Sequence, residues 1–431
     1  MDNALGRAGY RVVCIGCGLE VPETDRVAAF GHEECRREGY VSNLTTEFDL
    51  AELAGATYDE LLSDRPGLWK YEKLLPVAER RNQLSIGEGG TSLVHLKRTG
   101  ERMGAANLYA KNESQNPTWS QKDRLAAVAV SKALELGAKA ITVSSTGNHA
   151  AATAAYAARA GLPCIVFTVA SVPETMKVLM QAYGAIVVAM NSAEERWALM
   201  RQGIEQHGWF PTGNTTNPPV GSVYYGLEGY KTIAFELYEQ FGRKLPDVVL
   251  VPTSYGDIIY GIWKGFAELK ALGITAAVPR MVAIEPLGPL TKAVEDELDF
   301  PGTVPSRPTP SFSTAAPAST LQALHAIRES GGSAVTVLDD DAILRDQLRL
   351  AQSEGLYVEA ASVTSITALP QLLASGAVKP HETVVALLTS TGLKDPQTTR
   401  TQLPEVPVLA KPDMGELRAS VRKRYGLELP E

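Results

Sequence analysis

Along most of the chain, short and wholly apolar runs alternate with longer stretches whose apolar residues recur at three- and four-residue spacing. LYAKNE, KAITVS, PCIVFTV, AIVVAM, DVVLVPT, MVAIEP, AVTVL and TVVALLT read as strands of five to seven residues. Between them, Ser120 to Leu136, TGNHAAATAAYAARAG ending at Gly161, and MKVLMQAYG read as helices. Ser120 with Asp123 three residues on forms a predicted capping pair for the first of these. Strands without a polar face, separated by helices, predict parallel sheets covered on both sides, and so an α/β fold. The start of the chain differs. Residues 11–50 are polar with little helical periodicity, and a short helix is predicted around Thr57–Leu62. Residues 300–320, FPGTVPSRPTPSFSTAAPAST, have a linker's composition but are not read as a boundary.

At 431 residues the chain exceeds one ordinary core, so two domains and a small appendage are expected. Hydrophobic residues make up 45% and charged residues 21%, a globular balance. The net charge of −8 argues against nucleic acid as a partner, since phosphate backbones select basic surfaces. No apolar run reaches the ~20 residues of a membrane span, and no basic-then-apolar leader opens the chain. A cytoplasmic protein without a membrane partner is the expectation. Four cysteines in so long a chain are not a disulfide scaffold. Cys164 reads as a small buried hydrophobe, whereas Cys14, Cys17 and Cys35 fall in the first forty residues.

Three strand-to-helix junctions and one strand end carry candidate chemistry. In NPTWSQKDR, Lys122 lies at the second position into a predicted helix, just after a strand. The helix dipole, nearby Arg124 and burial would all disfavour its ammonium, and an easily deprotonated lysine can form a Schiff base with a carbonyl cofactor. Taken alone, an exposed first-turn lysine is the commoner case. SSTGNHA (144–150) turns hydroxyls and free N–H groups one way, as a carboxylate or phosphate requires. VPTSYGDIIYG (251–261) is a weaker anion loop, with Gly256 the one glycine inside its turn. Thr389 ends the apolar strand before STGLKDP. CIGCG resembles a dinucleotide turn, but it lacks the third glycine and Pro22 blocks the helix that should follow.

Together these segments resemble the threonine synthase family of fold-type II pyridoxal-phosphate enzymes, from about Gly67 to about Pro396. GEGGTSL (87–93), NESQNPTWSQKDR, SSTGNHA, LEGYKTIAFE, WKGFAELKALG, LHAIRESGG, EGLYVEAAS and TSTGLKDP carry the likeness in order. The resemblance implies a fold like the tryptophan synthase β-subunit: two doubly wound parallel-sheet domains behind a zinc-ribbon-like segment. On that basis residues 1–50 form the ribbon, 51–125 with 216–431 the large cofactor domain, and 126–215 a small mobile domain. Pyridoxal 5'-phosphate is the implied cofactor, with Lys122 as its Schiff-base lysine and the base at the substrate α-carbon. Asn148 would bond the cofactor's phenolic oxygen, and Thr253, Ser254, Tyr255, Gly256, Asp257 and Ile258 its phosphate. Thr389 would face the pyridine nitrogen. A hydroxyl there gives a weaker electron sink than a carboxylate, which favours elimination and replacement over transamination. Ser145, Thr146, Gly147, His149 and Thr91 would hold an amino-acid substrate. Relatives often open with paired Cys-x-x-Cys motifs; here Cys14, Cys17, His32 and Cys35 stand in that pattern. A Cys3His set can bind zinc tetrahedrally, and a ribbon that has lost its metal is the alternative. A homodimer is implied.

The departures gather around the site. Trp119 and Gln121 replace smaller or apolar residues before Lys122, Asp257 enters the phosphate loop, and Tyr230 stands where glutamine is usual. PVGSVYYG replaces a short turn that often holds arginine, and His149 follows Asn148 as in serine and threonine ammonia-lyases. O-phosphohomoserine needs several donors or cations for its phosphate. These changes therefore point to elimination or replacement at the β or γ carbon of some other amino acid. Threonine synthase proper, an ammonia-lyase, a cysteate-synthase-like β-replacement and a non-catalytic amino-acid binder are the alternatives.

Overall fold

A computed structural model describes residues 6–23 and 29–430. Near the N-terminus, β1 (Tyr10–Cys14), β2 (His32–Arg37), β3 (Tyr40–Ser42) and β4 (Leu44–Phe48) make two antiparallel ribbons, β1 with β4 and β2 with β3. The chain then enters a large sheet through β5 (Leu93–His95) and β6 (Leu108–Asn112). It leaves to build a four-stranded parallel sheet from β7 (Ala140–Ser144), β8 (Cys164–Val169), β9 (Ile186–Met190) and β10 (Trp209–Pro211), in the order β10-β7-β8-β9. It returns with β11 (Val248–Pro252), β12 (Arg280–Glu285), β13 (Ser333–Thr336) and β14 (Val384–Leu388). The large sheet runs β13-β12-β11-β14-β6-β5, parallel except for β5.

The strands lack a polar face because helices cover both sides. Every residue of β11 and β14 is buried. In the two larger sheets, the three-residue edge strands β5 and β10 are the ones the patterning does not predict. They are too short to show periodicity. The helix of residues 148–160 ends on Gly161, whose φ of 67° is the left-handed cap conformation. Thr57 and Glu60 make a reciprocal capping box on the short helix Tyr58–Leu61.

The predicted Ser120–Asp123 cap does not form. The helix starts at Lys122, Gln121 occupies the cap position without a side-chain bond, and the Asp123 carboxylate accepts from the Thr118 N–H and hydroxyl. The local signal is overridden by a tertiary clamp. Gln121 N–H donates to Thr389 O at 3.0 Å, and the Ser390 hydroxyl and Thr391 N–H both donate to Trp119 O. The turn into the Lys122 helix is thus pinned to the end of β14. Residues 300–320 hold the short 3-10 turn Phe312–Thr314 and an isolated bridge between Thr303 and Ala318, and residues 312–317 line a cavity wall.

Candidate active site

The C-terminal ends of β7, β11 and β14 open on one cavity of about 310 Å³, the usual ligand position in parallel α/β sheets. Lys122, Ser145, Thr146, Gly147, Asn148, His149, Ser254, Tyr255, Gly256, Asp257, Ile258 and Thr389 all line it. Two predicted residues do not. Thr253 is buried, its N–H donating to Ile284 O and its hydroxyl to Val251 O. The Thr91 hydroxyl donates to Glu113 at 2.7 Å and accepts from Arg124, inside a buried charge network. Thr91 therefore supports the scaffold rather than contacting a ligand.

Lys122 is the first residue of its helix, and its Nζ has no hydrogen-bond partner among the described residues. It lies 5.6 Å from the ring centroid of Tyr230. Burial lowers its pKa below the ordinary lysine range, while Asp257 and Glu359 pull the other way. Arg124 contributes nothing to this, contrary to the sequence reading. Its guanidinium points away from the site and is bound by Glu113 and Glu236.

Opposite Lys122, the N–H groups of Thr146, Asn148 and His149 find no acceptor among the described residues. This is the expected state of a helix start that awaits an anion. His149 is held neutral, pushed well below the usual histidine range by burial and then by the Lys122 charge. A second receptor is formed by the helix Asp257–Ala271, capped by Gly256 at φ 92°. A Cβ on Gly256 would lie 2.1 Å from Ala323 Cβ, so only glycine lets this turn seat against the neighbouring helix. The N–H groups of Gly256, Asp257 and Ile258 likewise lack acceptors among the described residues. The Asp257 carboxylate turns aside. It accepts from the Ser222 N–H at 3.2 Å, the Ser222 hydroxyl at 2.6 Å and Gln322 at 3.2 Å.

Several residues belong to the site that the patterning did not single out. Glu359, raised above its ordinary value by burial, receives Asn148 Nδ2 at 3.1 Å and the Ser313 hydroxyl at 3.1 Å. Phe312 to Pro317 and Arg196 also form its walls. Glu359 lies in EGLYVEAAS and Ser313 in the proline-rich stretch 300–320, but nothing local distinguishes a buried carboxylate from an exposed one.

The N-terminal ribbons reach this site. Sγ of Cys14, Cys17 and Cys35 and a ring nitrogen of His32 all lie within 4.8 Å of one another. The contacts among them, 3.2 to 3.6 Å, are close to the edge of a tetrahedron with metal–sulfur bonds of ~2.3 Å. From Cys14 a hydrogen-bonded path runs to the Ser42 hydroxyl at 3.2 Å and on to Asn43. Asn43 Nδ2 then donates to Ser222 O at 3.0 Å, and Ser222 binds Asp257.

Comparison with known proteins decides the family. The family described as pyridoxal-phosphate dependent enzyme matches residues 84–390. Threonine synthase of Methanosarcina acetivorans is 37% identical over 397 residues, covering 90% of this chain and 93% of that protein. The chain belongs to the threonine synthase family of pyridoxal-phosphate dependent enzymes. Threonine synthases of Methanocaldococcus jannaschii and Halalkalibacterium halodurans are 35% and 36% identical, covering 87% and 80% of this chain and 92% and 94% of theirs. The fold is that of fold-type II enzymes. Maize serine racemase matches with a TM-score of 0.60 at 22% identity, covering 77% of this chain and 92% of that one. As a threonine-synthase-like enzyme the chain is expected to hold pyridoxal phosphate, and the cavity fits that group. It offers a lysine without a hydrogen-bond partner among the described residues and a glycine-capped helix N-terminus for a phosphate. Three buried wall atoms likewise lack a hydrogen-bond partner among the described residues: Ser144 Oγ, His149 Nε2 and Gln121 Oε1.

Proposed function

We propose that the protein is a carbon–oxygen lyase that converts O-phosphohomoserine and water to threonine and phosphate. One observation carries this reading beyond the family. Two of the residues that argue for another substrate, Trp119 and Asp257, leave the cavity open. Trp119 takes φ 60°, which a glycine would adopt freely, but the residue is 47% exposed and is not part of the cavity wall. Asp257 spends its carboxylate on Ser222 and Gln322. Arg196 is part of the cavity wall.

In this reading Lys122 holds the cofactor and, once released, takes and returns the substrate α-proton through Nζ. Pyridoxal phosphate, when bound, supplies the sink for the electrons that the departing proton leaves behind. The amides of Thr146, Asn148 and His149 orient the substrate carboxylate. Neutral His149 donates or accepts without adding charge beside Lys122. Gly256, Asp257 and Ile258 offer N–H groups to the cofactor phosphate, and the Thr389 hydroxyl stands at the pyridine end. We further propose that the four-stranded unit, residues 126–215, moves relative to the rest, that the protein is a cytoplasmic homodimer, and that Cys14, Cys17, His32 and Cys35 hold a structural zinc. No helix among the described residues is long and apolar enough to cross a membrane.

Incubation with O-phosphohomoserine is expected to release phosphate and threonine in equal amounts. A second reading, an ammonia-lyase, rests on the buried and unpartnered His149 Nε2. It is favoured if serine or threonine yields ammonia and a 2-oxo acid while O-phosphohomoserine yields no phosphate. Metal analysis is expected to find one zinc per chain, and its removal by a strong chelator to lower the melting temperature. Protein free of metal with an unchanged melting temperature would show that the ribbon works without it.

A further inference from the structure

One buried cation stands behind the site without lining it. Lys394 lies in the turn Gly392–Lys394 after β14 and is 6% exposed. Its Nζ donates to Asn148 Oδ1 at 2.7 Å, and the Ser390 hydroxyl donates to the same oxygen at 3.1 Å. Those two donors occupy the two lone pairs of the amide oxygen. The amide nitrogen must then face the other way, and it lies 3.1 and 3.3 Å from the two Glu359 oxygens at the cavity wall. An asparagine with two donors on its oxygen and a carboxylate on its nitrogen has one stable orientation. The main chain of Lys394 is tied as well, since its carbonyl accepts from the Thr175 hydroxyl at 2.7 Å. Thr175 and Asn148 both belong to the four-stranded unit, so Lys394 joins that unit to the end of β14.

We infer that Lys394 is a positioning residue for the cofactor: its ammonium locks the Asn148 amide with Nδ2 turned toward the cavity and places a buried positive charge behind the cofactor's phenolic oxygen. The inference rests on the role proposed above for Asn148. Removing a single hydrogen-bonding partner or charge in a buried site leaves its neighbours unmet, and a fixed charge acts strongly where water is excluded. Burial lowers Lys394 to about 8, with Glu359 and then Asp123 opposing. The ammonium therefore predominates at neutral pH.

A positive charge and an amide donor beside the phenolic oxygen favour its anionic form, in which the lysine–cofactor linkage carries the proton and absorbs in the visible. Without them the proton returns to the oxygen, and absorbance moves to the near ultraviolet. In holoenzyme carrying Lys394→Met, the ratio of visible to near-ultraviolet absorbance is expected to fall about tenfold, the size of a one-unit shift. Cofactor affinity should weaken by about the same factor. Borohydride should still fix the cofactor to Lys122. A merely structural lysine would leave the band ratio of the folded holoenzyme untouched. If Lys394→Met does not fold, Lys394→Gln, which keeps a donor but not the charge, should show the same displacement. Wild-type band ratio and affinity in the folded variant overturn the inference while leaving the proposed function standing. Failure of borohydride to label Lys122 in the wild type instead overturns the proposed function.

Discussion

Lys122→Ala is expected to lower turnover at least ~10³-fold while leaving the protein folded, because it removes both the covalent anchor and the base from one position. The structure gives the reason this lysine has no understudy. Lys111 donates to Glu236 and the Thr91 carbonyl, Lys394 to Asn148, and Lys264 to Glu228 and Thr46. Each of these buried ammonium groups is committed elsewhere, whereas Lys122 lines the cavity and its Nζ has no hydrogen-bond partner among the described residues. Burial also lowers its pKa below the ordinary lysine range. The check is steady-state turnover with O-phosphohomoserine alongside circular dichroism. Loss smaller than tenfold in a folded variant would mean that another group removes the α-proton.

The largest expected effect on stability lies two residues further along the same helix. Arg124 is fully buried and binds Glu113 through Nε and Nη2 at 2.7 and 2.9 Å, and Glu236 at 2.6 and 2.8 Å. Lys111 reaches Glu236 at 2.6 Å from the other side. Burial alone would raise Glu236, but Arg124 and Lys111 outweigh it and hold it at about 2. Replacing Arg124 with Met would leave two buried carboxylates facing one ammonium. Breaking a buried pair from one side costs ~3–5 kcal/mol, because the surviving charge has neither water nor partner. Arg124→Met is therefore expected to lose about that much in urea unfolding. A loss under ~0.5 kcal/mol would show that the network relaxes or admits water. The network also braces the site, since Glu113 precedes the turn into the Lys122 helix and Asn116 Nδ2 donates to it at 2.8 Å.

The fold was readable because a parallel sheet buried on both faces writes itself as wholly apolar runs, as in DVVLVPT and TVVALLT. Its limits were equally physical. The edge strands Leu93–His95 and Trp209–Pro211 are three residues long and carry no period. The helix start at Lys122 is dictated by bonds from Gln121, Ser390 and Thr391 across to distant chain, so a cap inferred from Ser120 and Asp123 alone was misplaced. The loops that face the cavity were legible as polar turns between a strand and a helix. The place of Thr91 outside the cavity lining is not legible either, because a hydroxyl in a glycine-rich loop looks alike whether it meets a ligand or a buried arginine. Glu359 and Lys394 depend on contacts with Asn148 more than two hundred residues away, and no local pattern reveals such a meeting. Trp119 and Asp257 show the converse error. Their residue types suggested a crowded, repulsive pocket, but the ring is turned outward and the carboxylate is satisfied by Ser222.

The account stands on a single covalent attachment, and it can be tested by reducing the cofactor-loaded protein with borohydride and mapping the product by peptide mass spectrometry. The expected result is a phosphopyridoxyl mass on the peptide that contains Lys122 and on no other lysine peptide. Label on Lys111, Lys264 or Lys394, or no label on a protein saturated with pyridoxal phosphate, would contradict it.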